Sequence, residues 1–251
     1  MPKFDCARLV AIALAAAAAG LVGCQSPPAA SPPAASPPAA TDAQPWVVGW
    51  ESFPFPGKRA TAYAPLKQDD RWVMHATSER SASMYRRVLR VEPGQLDTLT
   101  FSWKVAALVE GADVRESETE DAPVRVLLAF DGDHGRLNQR TRMMFDLMHS
   151  LTGEMPPYAT LMYVWDGNAA ADSLVVNRRS NRIRKIVVES GPAHLGQWRN
   201  YRRDVVADYR RAFGEDPGAL IAVAVMTDTD NTQTRAEAWY GEVSLQLRPS
   251  P

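Results

Sequence analysis

From Trp46 onward, apolar residues come in short runs separated by turn-forming residues, a spacing that predicts strands rather than long helices. Seven runs are expected as strands: residues 71–76, 99–105, 124–130, 160–165, 183–189, 220–227 and 239–247. Alternation in the last places Trp239, Gly241, Val243, Leu245 and Leu247 on one face, with Tyr240, Glu242, Ser244, Gln246 and Arg248 on the other. The runs at 124–130 and 220–226 are almost continuously apolar, as central strands covered on both faces are. Two helices interrupt this pattern. Over 142–151, Met143, Met144, Leu147, Met148 and Leu151 recur at helical spacing, and Gly153 is placed to stop the helix; a shorter one over 206–213 ends at Gly214. The sum is a mostly β chain, an antiparallel β-sandwich with one or two short helices, over residues 46–251.

The amino terminus follows another pattern. Lys3 and Arg8 precede an alanine-rich apolar stretch from Leu9 to Val22, shorter than the ~20 residues of a membrane span. It predicts an export signal over 1–23. Leu21-Val22-Gly23-Cys24 resembles a bacterial lipobox, which implies cleavage before Cys24, a diacylglyceryl thioether on its sulfur and an acylated amino group. Several chains at ~0.8 kcal/mol per buried CH₂ would anchor the protein to a membrane. The alternative is a soluble-secretion signal with an incidental cysteine. Gln25, in place of the aspartate that marks inner-membrane retention, resembles the outer-membrane class and implies a domain facing the periplasm. Ser-Pro-Pro-Ala-Ala then occurs three times from Ser26, so residues 24–45 are expected as an extended polyproline-type tether. Cys6 would leave with the signal, and the mature chain would have no cysteine for a disulfide.

Composition narrows the class. The chain has 251 residues, is 45% hydrophobic and 23% charged, and carries a formal net charge of -1. That supports one sizeable core, excludes a multi-span membrane protein or a disordered chain, and argues against a nucleic-acid partner, which calls for a strongly basic face.

Three segments fall in a suggestive order: Trp50-Glu51-Ser52-Phe53, Gly196-Gln197-Trp198, and Trp239-Tyr240-Gly241-Glu242-Val243-Ser244-Leu245. The order resembles jelly-roll domains of the galactose-binding and carbohydrate-binding-module type, although Gly241-Glu242 stand where that pattern has paired acids. A narrower set runs from Pro157 through Trp165, then Gly196-Gln197-Trp198, then Met226 through Thr232, then Tyr240-Gly241-Glu242. It resembles the bacterial exported family called domain of unknown function 3047, which implies an envelope location and a fold but no chemistry.

Thr227-Asp228-Thr229-Asp230-Asn231-Thr232 is the most chemically loaded segment. Asp228, Asp230 and Asn231 could supply hard oxygens to Ca2+, with Glu242 completing the set, or accept hydrogen bonds from sugar hydroxyls. A plain turn in which these side chains bond to nearby backbone is the other reading. Trp165, Asp166 and Trp198 are candidates for stacking on and bonding to a sugar, while Trp46, Trp50, Trp72, Trp103 and Trp239 read as core. Met143, Met148, His149 and Met155 have the softness that Cu(I) prefers, or simply fill an irregular gap. A hydrolase would pair Glu116 or Asp121 with Asp166 or Asp228. The acidic loop 115–121 and the basic run Arg178, Arg179, Arg182, Arg184 and Lys185 also read as solvated charge. Three functions therefore stand open: a non-catalytic envelope module binding a glycan or other envelope component, a scaffold docking a protein partner, and a carboxylate-dependent hydrolase of envelope carbohydrate.

Overall fold

The computed structural model describes residues 46–249 except Asp69; the expected signal, the lipid site Cys24 and the tether lie outside the described residues. The chain forms β1 (Trp50–Pro54), β2 (Ala62–Gln68), β3 (Arg71–Glu79), β4 (Ser83–Val91), β5 (Leu96–Val105) and β6 (Ala122–Phe130). After these come α1 (Gln139–Thr152), β7 (Ala159–Asp166), β8 (Leu174–Val176), β9 (Ile183–Ser190), β10 (Arg199–Asp204) and α2 (Val205–Phe213). The chain closes on β11 (Leu220–Asp228), β12 (Arg235–Tyr240) and β13 (Ser244–Leu247).

Two sheets result. One has the order β1-β4-β11-β6-β7-β9-β8 and the other β10-β5-β12-β3-β2, with β13 also paired to β5. From β3 to β6, and again from β10 to β12, successive strands alternate between the sheets, as in a jelly roll. The pairing is antiparallel apart from β7 and β9, which run parallel, so the sandwich is mixed rather than purely antiparallel. Its core is the space between the sheets, where Phe101 of one sheet stacks on Tyr163 of the other at 5.4 Å, and Trp103, Phe130 and Tyr240 are fully buried.

A hydrogen bond ties the layers at Tyr240. Its hydroxyl donates to the Met226 carbonyl at 2.6 Å, accepts from the Arg125 amide at 3.3 Å and lies 2.8 Å from Thr227 Oγ1. Burial holds this phenol well above its ordinary range, which keeps it a donor.

The run expected as one strand over 239–247 is broken. The Gly241 amide donates to the Ser102 carbonyl at 2.9 Å, and a Cβ at Gly241 would come within 2.1 Å of Ser102 Oγ. The chain steps there from β12 to β13. Ala236, Ala238 and Tyr240 fill the inner side of β12, so Trp239, expected in the core, is half-buried on the outer face.

Helix α1 starts where Asn138 Oδ1 caps the Thr141 amide at 2.9 Å, and stops at Gly153, whose φ of 75° is left-handed. Its expected apolar stripe is divided. Thr141 and Phe145 are buried, whereas Met143, Leu147 and Leu151 are 65%, 59% and 61% exposed. In α2, Tyr209 packs on Phe130 at 4.6 Å, and the Asp208 carboxylate accepts both Arg203 at 2.7 Å and the Tyr163 hydroxyl at 2.8 Å.

Tyr240→Phe leaves the buried Arg125 amide without its acceptor, a loss of about 1–3 kcal/mol. Thermal unfolding should fall by several degrees, at about 2–4 °C per kcal/mol. An unchanged midpoint would show that the hydroxyl does not tie the layers.

Candidate functional site

Strand alternation gives the seven-stranded sheet two apolar faces. The inner face packs in the core, while the outer face carries Met84 and Val88 of β4, Leu127 and Ala129 of β6, Met162 of β7, and Ala224 and Met226 of β11. Part of this outer face is covered by Val114, Ala169 and Val175 from the flanking loop and β8, which form a second apolar cluster with Leu127, Met162, Val164, Val187 and Ala224. Beside it α1 presents Met144, Phe145 and Met148, with Phe53 and Phe55 opposite, enclosing a groove of about 610 Å³. Pockets of this size hold small organic ligands.

The groove has a polar end. Strand register puts Asp228 beside Ala122 and Met226 beside Arg125, at the opposite end of the strands from the Leu220–Phe130 pair. Lys58, Glu120, Asn177, Arg179, Asp230 and Asn231 also line the groove. Arg125 and Asp228 form a bidentate pair, with Nε 2.8 Å from Oδ1 and Nη2 2.9 Å from Oδ2. Both are buried. Burial works against the Arg125 charge, but Asp228 beside it outweighs that and holds the guanidinium above its ordinary range. Burial also pushes the Asp228 carboxyl up to about 6 against the pull of Arg125. Next to the pair, Lys185 donates to the Val114 carbonyl at 2.6 Å and to Glu120 at 2.8 Å. Burial, aided by Arg125, draws its ammonium down to about 8.

Asp121, Asp228 and Asp230 each bring a carboxylate oxygen within 4.8 Å of the others. This is the cluster read for Ca2+, with Asp121 added, but protein donors already answer these oxygens. Arg125 holds Asp228, Lys58 is ion-paired to Asp230, and Asp121 accepts from the Asn231 amide at 3.2 Å and from the amide and hydroxyl of Thr232 at 2.6 Å. Two cationic side chains thus stand where a divalent ion would supply charge. Glu242, expected to complete the set, is exposed between β12 and β13, over a hollow lined by Arg71, Ser102 and Arg202 on the other sheet.

The remaining candidates separate in space. Trp165 is fully buried, its Nε1 donating to the Gly191 carbonyl at 3.0 Å, so no ring face is open to a sugar. Asp166 is spent on backbone: Oδ1 accepts from Asn168 at 2.7 Å and Ala169 at 2.5 Å, and Oδ2 from Val114 at 3.0 Å. Trp198 is half-buried on the outer face of the six-stranded sheet, with the Arg71 guanidinium 3.8 Å above its ring. Of the sequence candidates, Asp228, Asp230 and Asn231 come together, and Trp165, Asp166, Trp198 and Glu242 do not join them. Asp121, expected as solvated loop charge or as a hydrolase carboxylate, is buried, and its two oxygens order the 228–234 loop. The acidic loop and the basic run meet: Arg178 donates to Glu116 at 2.7 Å and Lys185 to Glu120. Much of that charge is paired, and Lys185 is buried rather than solvated.

Asp228→Asn leaves a buried guanidinium uncompensated and should cost about 3–5 kcal/mol, whereas Arg125→Met combined with Asp228→Leu should recover most of it. Denaturant titration of the three chains checks this; a double variant no more stable than Asp228→Asn would refute it.

Comparison with known proteins adds a family and distant likenesses. No curated protein matches. Among solved structures, the enzymatically active domain of tailspike protein 4 of bacteriophage CBA120 is 12% identical with a TM-score of 0.40, over 84% of this chain and 21% of that one. The chain therefore spans about a fifth of that protein's length. A carbohydrate-binding module of the CBM4 group is 7% identical with a TM-score of 0.35, over 79% of this chain and 86% of that one. A CBM28 module, described as specific for non-crystalline cellulose, is 12% identical with a TM-score of 0.36, over 79% and 88%. The family model described as a protein of unknown function, DUF3047, matches residues 48–244. With nearly the whole sandwich inside that match, the chain belongs to the DUF3047 family.

Proposed function

We propose that this protein is an envelope binding module that holds an amphipathic ligand in the groove across its seven-stranded sheet, tethered to the outer membrane through lipid on Cys24. The observation that carries the reading is the groove itself: about 610 Å³, floored by Leu127, Ala129, Met162 and Ala224 and walled by Met144 and Met148. Flexible thioethers adapt to an apolar body of varied shape. At the polar end Arg179 and Asn231 offer donors and acceptors to a hydroxylated or charged head, beside the Lys58–Asp230 ion pair. The ligand class is an acyl-bearing envelope component, including a glycan that carries such a chain.

A glycan without an apolar body would use the other sheet. There the Arg71 guanidinium, the Trp198 ring, the Lys104 ammonium, Trp239 and His75 form a row of alternating cations and rings, with Lys104 5.7 Å from Trp198 and 4.4 Å from Trp239. Glu237 bonds His75 at 2.8 Å. Rings flanked by hydrogen-bonding groups favour this second reading for soluble sugars.

Binding of a fatty acid bearing an environment-sensitive fluorophore separates the two. Ala129→Trp, which fills the groove, and Met148→Asp, which charges its wall, should each weaken binding at least about tenfold, since burying one apolar side chain is worth about 1.5–3 kcal/mol. Unchanged affinity in both would sink the groove reading. Oligosaccharide binding lost in Trp198→Ala and Trp239→Ala, but kept in the groove variants, would move the ligand to the second face.

A further inference from the structure

Helix α1 is apolar on two sides. Met144, Phe145 and Met148 turn to the groove, while Met143, Leu147 and Leu151, four residues apart, line up outward. Such a stripe costs free energy in water unless something covers it. Two further exposed apolar residues, Val88 at 61% and Met155 at 45%, also line the groove, so the bare surface continues from the helix to the groove mouth. Just before the helix and in its first turn stand Arg136, Arg140 and Arg142, all exposed and none in an ion pair among the described residues. The helix carries one acid, Asp146.

We infer that the outer face of α1 docks on an anionic lipid bilayer, with Met143, Leu147 and Leu151 in the acyl boundary and the three arginines at the head groups. An apolar stripe bordered by unpaired cations fits that partner: hydrocarbon takes the first and anionic head groups take the second. The helix, at 14 residues, lies along the surface; among the described residues no helix is long and apolar enough to cross a membrane. Docking in this orientation brings the groove mouth, at Val88 and Met155, toward the lipid. The inference stands on the outer face of α1 and does not depend on what the groove holds.

The test uses the full chain with Cys6→Ser and Cys24→Ser, spin-labelled at Leu147→Cys, or at Asn200→Cys on the opposite sheet as control. On adding phosphatidylglycerol-containing vesicles, the label at 147 should lose access to a water-soluble nickel relaxant, and the label at 200 should not. Arg136→Gln, Arg140→Gln and Arg142→Gln together should raise the vesicle concentration for half-protection about a hundredfold, at roughly 1 kcal/mol per charge. Protection at 147 should survive Ala129→Trp, which fills the groove without changing the helix or its charge and so separates a failure of docking from a failure of groove binding. A label at 147 equally accessible with and without vesicles would overturn the inference. So would protection that appears without vesicles, which would identify a second copy of the chain as the cover, or protection indifferent to the three arginines.

Discussion

The seven-stranded sheet is apolar on both sides, and a sheet of that kind must be covered twice. The six-stranded sheet covers the inner face, and that contact is the core. For the outer face the described residues supply no third sheet; the 106–121 loop, the 167–176 segment with β8, and α1 cover it. The loop packs closely through Val114, and the 167–176 segment through Ala169 and Val175. Helix α1 stands off, held by Phe145 and by the Arg86–Glu154 pair at 2.6 Å at its exit. The groove is what remains of the outer face when one of its two covers does not close.

The buried polar groups follow from the same layering. Arg125 is an outward residue of a central strand and lies under the loop, where water cannot reach it. It keeps its charge because Asp228, one strand away, meets it in bidentate geometry. Lys185, two strands from Arg125, is ion-paired to Glu120 at 2.8 Å and also donates to the Val114 carbonyl. The loop that carries Glu120 therefore brings the counter-charge to Lys185, while Arg125 takes its own from Asp228 of β11. Removing one member would cost more than the pair adds, so these ions specify how the loop sits rather than adding to stability.

Much of this was legible in the sequence. All seven expected strands exist, those at 124–130 and 220–227 visible as almost continuous apolar runs and the last by its alternation, although that last is split in two. Five strands, β1, β2, β4, β8 and β10, lie outside those runs; in β2, β4 and β10, Lys67, Arg86, Arg87, Arg90 and Arg202 break the pattern, since long side chains can extend over a sheet face with their charge at the rim. Trp239 was misplaced because the step at Gly241 depends on Ser102, far off in sequence. The Asp228-Thr229-Asp230-Asn231 segment stood out for its oxygens, but Arg125, Lys58 and Asp121, which answer or organise them, come from 100 or more residues away. The methionines between 143 and 162 were the one visible trace of the groove; nothing local could say that Met144, Met148, Met155 and Met162 would line a cavity and Met143 face the solvent.

One feature of the topology bears on how the chain reaches this state. Strand β11 lies between β4 and β6, and β12 lies between β3 and β5. Both sheets are therefore completed from their middles by residues 220–240, which follow every other strand but β13 in the chain. Until residues 220–240 arrive, β4 and β6 have no shared neighbour, and neither do β3 and β5, so a nascent chain holds two half-sheets with unpaired edges. Such long-range pairing makes folding slow and leaves the intermediate exposed. Truncation before residue 220 would leave these half-sheets without their central strands, and a chain threaded through a pore amino terminus first would stay open until residues 220–240 emerged.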